Sequence, residues 1–525
     1  MKREESLDTD LDALEFGGIQ RLLERLTVTP YGADAARTLR PAPDQGQAQA
    51  MQAAVSAARR AVEGGAAGPA RLPDIRAALR QAAQAQAALP GTALAHIAQV
   101  LQAGAVLGDV QAHDHDLYPD AQDLVPAPAL EAQLRAAVLP TGRLRDTASP
   151  GLQQAAARLA AERQAVEAIL KERLAALGLR DQDEALATAG ARLLLSLPAA
   201  LADTVKGVRC GPAAQGRRYL VEPLEAVAAN NRLEARAGER DREELWARRE
   251  LTALVREAAA GLDRLLGAIA WIDLAFAAAQ ISIHMNAVPP RFDERPLLHM
   301  EAVYHPAMLL AFADRRGQKP VPLSITLDAE RPMLLVTGPN TGGKTVVLKT
   351  VGLLVAMAYC GLHLPSEGEV VIGRFTRLIV DIGDRQNILH QLSTFAAHVE
   401  ILKRLLSEAD GETLVLMDEL GTGTDPEEGA ALAMAVLDEL ARRGVRGLIT
   451  THLSPLKGYA DRHAHLTNAT MRFDAERLAP TYELEIGASG SSHGLTIAER
   501  RGLSPELLQA ARHHLTRLLA SRPAP

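Results

Sequence analysis

The sequence is poor in aromatic rings, in thiols and in lysine. Its 525 residues hold 7 Phe, 7 Tyr and 2 Trp, 3% of the chain, too few to line a path for single-stranded nucleic acid with stacked rings. Cys210 and Cys360 are the two cysteines. They lie far apart with no second Cys or patterned His nearby, which excludes a disulfide framework or a zinc ribbon and fits a reducing compartment. Charge of one sign is lacking as well. With 57 Lys+Arg against 64 Asp+Glu, the formal net charge of -7 excludes a histone-like basic binder, and 47% apolar content excludes disorder as the main state. The charged N-terminus has no apolar segment of signal-peptide type. Of the most apolar stretches, 266–283 is interrupted by Asp273 and Gln280, and 351–362 is too short to span a bilayer. These absences predict a cytoplasmic protein with no membrane partner. Of the 57 basic residues only 8 are Lys, so a lysine inside a motif is seldom there by accident.

At roughly 100–200 residues per domain, the length predicts about three domains. Residues 1–140 are rich in Ala, Gln and Leu, with apolar positions at helical spacing in stretches such as 11–26 and 75–89, and are expected to form an all-α helical core. After the break at Pro140-Thr-Gly142, Ser149-Pro150 reads as an N-cap with Pro at the first helical position. Leu152, Leu159, Val166, Leu170 and Leu174 then mark one stripe of a long helix. A second long helix is expected from about Asn230, carrying Leu251, Val255, Leu262, Leu265, Ile269 and Phe276. Strand-like pieces at 193–197 and 219–221 lie between, so 141–290 describes a long helical arm around a small β-containing tip. Beyond Pro289-Pro290, short β-rich runs alternate with Gly turns and helices, which predicts an α/β domain over 291–525.

The apolar run Met333-Leu-Leu-Val-Thr337 leads into Gly338-Pro339-Asn340-Thr341-Gly342-Gly343-Lys344-Thr345 and then a helical pattern. This is the G-x4-G-K-[ST] phosphate loop in its strand-loop-helix context. Backbone N–H groups and a helix N-terminus suit phosphate oxygens, Lys344 reaches the β/γ-phosphates, and the Thr345 hydroxyl ligates Mg²⁺. A glycine turn capping an ordinary helix is the bland alternative, and it does not account for the whole octet. A second apolar run, Thr413-Leu-Val-Leu-Met417, ends in Asp418-Glu419. Downstream of a phosphate loop such a pair divides two tasks: Asp418 holds the Mg²⁺ shell and Glu419 is the general base toward water. The run 445–450 ends in Thr451-His452, where a His can hydrogen-bond a γ-phosphate.

Gly338 to Thr345, Leu392-Ser-Thr-Phe395, Met417-Asp-Glu-Leu-Gly-Thr-Gly-Thr-Asp425 and Thr450-Thr-His452 resemble the four ATPase motifs of the MutS family, in order and at similar spacing. Tyr304-His305-Pro306 is similar to that family's opening segment, and Gly490-Ser-Ser-His-Gly-Leu495 with Gly502-Leu-Ser-Pro505 to its closing one, so the likeness covers about 297–515. The arm upstream resembles, more loosely, the MutS lever and clamp. Residues 1–140 read as helices from the start, so a member without the separate mismatch-reading domain is expected, and the one Phe-x-Glu, Phe292-Asp-Glu294, falls at the start of the α/β domain. Leu14-Glu-Phe16, Val221-Glu-Pro223, Asn230-Asn-Arg232 and Asp381-Ile-Gly-Asp384 resemble the second bacterial MutS group. The resemblance implies an ABC-type P-loop ATPase domain and a homodimer using ATP and Mg²⁺. It also implies Ser393 reaching the γ-phosphate from the opposite subunit, and action on branched DNA or on ribosomal RNA of stalled and collided ribosomes. That group continues into a Smr nuclease domain. Neither the Leu-Asp-Leu-[HR] nor the His-Gly-x-Gly-type motif of that domain occurs in 1–525, so the sequence is expected to be a piece of a longer chain or a member lacking that domain.

Other patterns carry less. Lys206, Arg209, Arg217 and Arg218 gather at the arm tip, where a clamp would meet a phosphate backbone, although generic surface charge explains them equally. His113-Asp-His-Asp116 has ligand-type side chains at a spacing that rarely converges on one metal, and a solvated loop is expected. Arg236, Arg240 and Arg242 interleave with acids as on a salt-bridged helix surface. Competing functions are a transporter ATPase subunit, a mismatch-repair-type damage sensor and a scaffold with a dead ATPase. Leu392-Ser-Thr-Phe395 in place of a Leu-Ser-Gly-Gly-Gln signature argues against the first, and the intact Lys344, Thr345, Asp418, Glu419 and His452 argue against the last.

Overall fold

Alanine, leucine and glutamine at helical spacing give the first 140 residues the helices α1 (Lys2–Ala13), α2 (Gly17–Leu26), α3 (Pro30–Arg37), α4 (Gln45–Glu63), α5 (Arg76–Ala82), α6 (Gly91–His113) and α7 (Pro128–Ala137). The computed structural model describes residues 2–66, 68–179, 185–213, 218–313, 319–338, 343–383, 394–474, 479–488, 495, 498–499 and 502–520. The protein is multidomain and α-rich with α/β sheets, and its chain divides into two compact units. One comprises Met1–Pro69, Gln111–Pro119 and Ala270–Pro525, the other Ala70–Val110 and Asp120–Ile269.

In the second unit, α8 (Pro150–Ala176) starts as its sequence dictates, with the Ser149 hydroxyl accepting the Leu152 N–H at 3.1 Å and Pro150 in the first turn. It packs against α10 (Leu224–Glu257). Between them lie β1 (Leu186–Ala189), β2 (Arg192–Pro198), α9 (Ala199–Ala202), β3 (Gly207–Pro212) and β4 (Arg218–Pro223), whose strands form an antiparallel sheet in the order β1-β2-β4-β3. Val166, Leu170 and Leu174 of α8 join Leu193, Leu195, Val221 and Leu233 in one buried cluster. Asn230, fully buried, holds β2 through both ends of its amide: Oδ1 accepts the Leu193 N–H at 3.0 Å and Nδ2 donates to the Leu193 carbonyl at 2.9 Å. Its amide also donates to Glu222 at 2.8 Å, which gives the motifs at 221–223 and 230–232 a common structural purpose. The interleaved charges pair as the pattern predicts, Arg236 with Glu239 and Arg240 with Glu244.

The second long helix expected from Asn230 through Phe276 is two helices. α10 begins six residues earlier, at Leu224, and ends before Ala258 (φ -86°, ψ 0°); α11 (Ala259–His284) follows. Asp273 interrupts the apolarity of this stretch but not the helix. It is buried, and its carboxylate accepts the Val28 N–H at 3.1 Å, the Thr29 N–H at 2.8 Å and the Thr29 hydroxyl at 2.6 Å, closing the entry to α3. By length and apolarity α6 and α11 could each cross a membrane; most of the α11 surface is buried inside the protein, against about a third for α6.

After β5 (Ala287–Val288), β6 (Arg291–Phe292), β7 (Leu298–Val303), α12 (Pro306–Ala313) and β8 (Leu323–Leu327), the chain enters a six-stranded sheet with β9 (Met333–Thr337). α13 (Lys344–Tyr359), β10 (Leu364–Pro365) and β11 (Val370–Ile372) lead to β12 (Arg377–Asp381), α14 (Thr394–Glu408), β13 (Thr413–Met417), α15 (Pro426–Arg442) and β14 (Arg446–Thr451). The remainder is α16 (Ser454–Ala460), β15 (Leu466–Asp474), β16 (Ala479–Ile486) and α17 (Pro505–Ala520). The sheet order is β12-β13-β14-β9-β15-β16, parallel from β12 to β15, with β16 antiparallel at the edge. β9, β13 and β14 are buried along their whole length, which is why they read as unbroken apolar runs.

Candidate functional site

In an open parallel sheet, ligands collect outside the carboxyl ends of the strands. Three of the motifs converge there, after β9, β13 and β14. Gly338 (φ 131°) and Gly343 (φ 95°) both take left-handed backbone, which only glycine adopts without strain, and Gly343 caps α13. Lys344, 2% exposed, donates from Nζ to the Gly338 carbonyl at 2.7 Å. Burial holds its pKa below the ordinary lysine range; Asp418 and Glu419 pull it back up and Lys457 pushes it further down. An ammonium so buried, resting on one carbonyl among the described residues, is a charge for which an anion is the natural partner.

The acid pair is assembled through the strand between. β14 separates β13, which runs into Asp418, from β9, which leads through the loop to Thr345 in the first turn of α13, so the two strands lie roughly 10 Å apart, two inter-strand spacings. The gap is closed by side chains. The Thr345 hydroxyl donates to Asp418 Oδ2 at 2.7 Å, and the Thr450 hydroxyl, at the end of β14, donates to Asp418 Oδ1. The same Thr450 oxygen accepts the Glu419 N–H at 2.9 Å, and the Asp418 N–H donates to the Asp381 carbonyl at 2.8 Å. Glu419 has φ 57°, a left-handed conformation that costs a non-glycine residue on the order of 1 kcal/mol or more. The Thr422 hydroxyl, donating to the Glu419 carbonyl at 2.9 Å, helps hold it there. Thr345 and Asp418 thus present neighbouring oxygens, one hydroxyl and one carboxylate, of the kind a Mg²⁺ shell uses, and with Lys344 beside them the set fits a metal-bound polyphosphate.

His452 lies just past β14 and is exposed. Pro339, Asn340, Thr341, Gly342, Ser393 and Arg217 fall outside the described residues. At the β tip of the second unit, Lys206 is exposed. Arg209 is ion-paired with Asp203 and lies over the Tyr219 ring at 4.8 Å, and Arg218 donates to the Ser196 carbonyl and, at 3.2 Å, to its hydroxyl. The expected solvated loop at 113–116 is an Arg60 ion-pair site, with Asp114 at 2.7 Å and Asp116 at 3.2 Å. Among the described residues no three His, Cys, Asp or Glu could share a metal ion.

Sequence reasoning missed Thr450 as a bridge, Asp381 as a support and Tyr482. The Tyr482 ring is so near Gly343 that a Cβ on that glycine would stand 3.0 Å from Cδ1. Tyr482 is half exposed and has φ 62°. Thr450 and Asp381 fall inside quoted motifs, but the motifs do not give them these contacts, which depend on which strands are neighbours. A cavity of about 580 Å³ lined by Asp12, Glu15, Arg21, His305 and Leu353 lies elsewhere along α13 and includes none of the residues above. Charge and hydrogen bonding converge at the strand ends, among Lys344, Thr345, Asp418 and Thr450, away from that cavity.

Residues 334–519 match the family model for MutS domain V. Over 525 aligned residues the chain is 36% identical to a protein named Endonuclease MutS2 from Symbiobacterium thermophilum, covering 96% of this chain and 63% of that one. A protein of the same name from Thermus thermophilus is 36% identical over 516 residues, 95% of this chain and 65% of its own length. One from Carboxydothermus hydrogenoformans is 38% identical over 393 residues, 74% and 49% respectively. The chain therefore spans less than two thirds of the length of these relatives.

Proposed function

The chain belongs to the MutS family, in the group of its MutS2 relatives, and from that premise we propose that it is an ATP-hydrolysing homodimeric clamp on nucleic acid. In this reading 1–140 is the helical core, 141–290 the lever and clamp arm, and 291–525 the ABC-type ATPase domain. The observation that carries the reading is the contact of Thr345 with Asp418 at 2.7 Å beside the buried Lys344. It joins the two metal-ligand types and the phosphate cation of a P-loop enzyme.

Each residue then has a task. Gly338 to Thr345 cradle the phosphates, and Lys344 exchanges the Gly338 carbonyl for phosphate oxygen, which relieves the burial that depresses its pKa. Mg²⁺, held by Thr345 and Asp418 when bound, supplies charge neutralisation on the β- and γ-phosphates. Glu419 orients the attacking water and takes its proton, and its backbone is fixed for that by Thr450 and Thr422. His452 contacts the γ-phosphate, and Ser393 of the partner subunit completes the site in trans. The half-exposed Tyr482 ring offers a stacking face to the base. Lys206, Arg209, Arg217 and Arg218 meet phosphate backbone, of branched DNA or of ribosomal RNA on stalled ribosomes. The nuclease activity in the relatives' name is assigned to no residue of 1–525.

Glu419→Gln keeps the shape of the side chain and removes the base. Phosphate release should fall at least about a hundredfold, while ATP still binds and a closed dimer accumulates on sizing. Lys344→Ala should lose ATP binding itself. Unchanged turnover in Glu419→Gln would remove the assignment of the base. Crosslinking the Glu419→Gln form in cells and sequencing the nucleic acid bound to it identifies the target, and recovery of ribosomal RNA alone would reject a direct DNA role.

A further inference from the structure

The end of α1 and the turn into α2 reach β12, α13 and α14, three of the elements around the site. Asp10, on the last turns of α1 and 2% exposed, accepts the Val380 N–H of β12 at 3.2 Å and Arg404 Nη2 of α14 at 2.5 Å. Four residues on, Leu14 is fully buried in a notch opened by Gly352 of α13. A Cβ on that glycine would stand 2.4 Å from Leu14 Cδ2 and 2.6 Å from Leu416 Cδ1 of β13. Glu15 follows with φ 59°, and its carboxylate accepts Lys349 Nζ of α13 at 2.6 Å. A non-glycine residue keeps left-handed backbone only where its surroundings over-determine it. Here Leu14 on one side and the Glu15–Lys349 pair on the other do so.

The elements gripped are not arbitrary. α13 begins with Lys344, and β13 runs into Asp418. β12 ends at Asp381, whose carbonyl accepts the Asp418 N–H at 2.8 Å and whose carboxylate meets His398 Nδ1 of α14 at 3.2 Å. α14 is the helix that follows Ser393. One six-residue stretch therefore clamps the helix serving this subunit's own nucleotide to the helix that follows the serine proposed for the partner's. We infer that Asp10 and Glu15 are positioning residues, forming a brace that keeps α13 and α14 in register so that phosphate contact at one site is transmitted to the N-terminal end of α14. The inference rests on the ATPase reading and on Ser393 acting in trans.

Neither carboxylate touches the proposed substrate, so the brace predicts a rate effect without a binding effect. In the full-length chain, steady-state ATPase, ADP affinity by calorimetry and melting temperature are measured for wild type, Asp10→Asn, Glu15→Gln and the double variant Asp10→Asn/Arg404→Met. The last removes the half-buried Arg404, which Asp10→Asn leaves with Glu408 at 3.9 Å as its remaining ion-pair partner among the described residues. The expected result is a kcat about tenfold lower in Asp10→Asn and in the double variant, with KM and the ADP Kd within about twofold of wild type. Glu15→Gln should move in the same direction. A double variant with wild-type kcat, whatever its melting temperature, overturns the inference, because the contact is then only structural. Parallel loss of kcat and ADP affinity overturns it too, because the site itself has then collapsed. Failure of the underlying ATPase reading is distinct, since it appears as absence of ATP turnover in the wild-type chain.

Discussion

Burial raises the pKa of Asp10 from an ordinary 3.8 to about 6; Arg404, by charge and hydrogen bond, and the Val380 N–H pull it back, and Glu408 adds to the rise. Between those two pH values the folded chain holds a proton that the unfolded chain has released, so the contribution of Asp10 to stability falls as pH rises through the window. Its full size is on the order of 3 kcal/mol. His363 tilts the other way. Its ring bonds Ser56 at 3.0 Å and Ser282 at 2.7 Å, and burial, with Arg59 adding to it, lowers its pKa from 6.5 to about 4. In that window the unfolded chain holds the extra proton, and stability rises with pH. Because the two slopes oppose one another, wild-type stability should vary little between about pH 4 and pH 6 on their account. Asp10→Asn removes the falling component, so urea unfolding should show stability climbing with pH over that range where the wild type stays flatter. An unchanged pH dependence would mean that Asp10 is not the buried acid described.

At the scale of elements, the turn after Glu419 is fixed by backbone packed on backbone. α15 is capped by Asp425, whose carboxylate accepts the N–H of Glu427 at 2.9 Å and of Glu428 at 3.3 Å. Its first turn brings Gly429 so near Gly421 that a Cβ there would lie 2.0 Å from the Gly421 carbonyl oxygen. Gly429→Ala must therefore push the 421–425 turn away from α15 and strain the backbone that holds Glu419. We expect a loss of about 1–3 kcal/mol in stability by urea unfolding and a kcat lower by about tenfold or more, with ADP affinity at Lys344 little changed. A wild-type kcat in Gly429→Ala would show that this turn does not set the Glu419 geometry. The same scale explains what the sequence makes legible. Residues 338–345 and 417–419 can be read directly because each motif is contiguous and each strand is an unbroken apolar run. Thr450 cannot be read as the Asp418 bridge, because its role follows from β14 lying between β13 and β9, an order no local pattern encodes. The break at Ala258 is hidden for another reason. Apolar positions continue in phase from Leu251 through Leu262, and the nearest Gly, Gly261, falls three residues past the stop, inside α11. Glu15 escapes notice in the same way, as a left-handed residue inside a stretch of helical periodicity.

For the whole molecule, composition and chemistry point to closure driven from the nucleotide. A near-neutral chain with 16 rings among 525 residues has little with which to read bases by stacking, so under the proposed function its grip on nucleic acid is expected from encircling a phosphate backbone. In that proposal two copies close together, and closing draws on contacts that exist only with nucleotide present. If Lys344 of one subunit and Ser393 of the partner subunit meet over one ATP, each subunit contributes half of two sites. Lys344→Ala chains and Ser393→Ala chains should each be inactive alone, since every site in either homodimer lacks one half. Mixed after unfolding and refolding together, about half of the dimers formed are heterodimers by random pairing, and each of these has one site with Lys344 and Ser393 both intact. Phosphate release should then return to about a quarter of the wild-type rate if the two sites turn over independently. If hydrolysis at one site needs a competent second site, as the Asp10–Glu15 brace implies, recovery should fall well below a quarter while ATP binding by the mixture is retained. No recovery of turnover together with loss of ATP-dependent dimerisation would place Ser393 and Lys344 in the same subunit's site, and the closing mechanism would have to be sought away from the nucleotide.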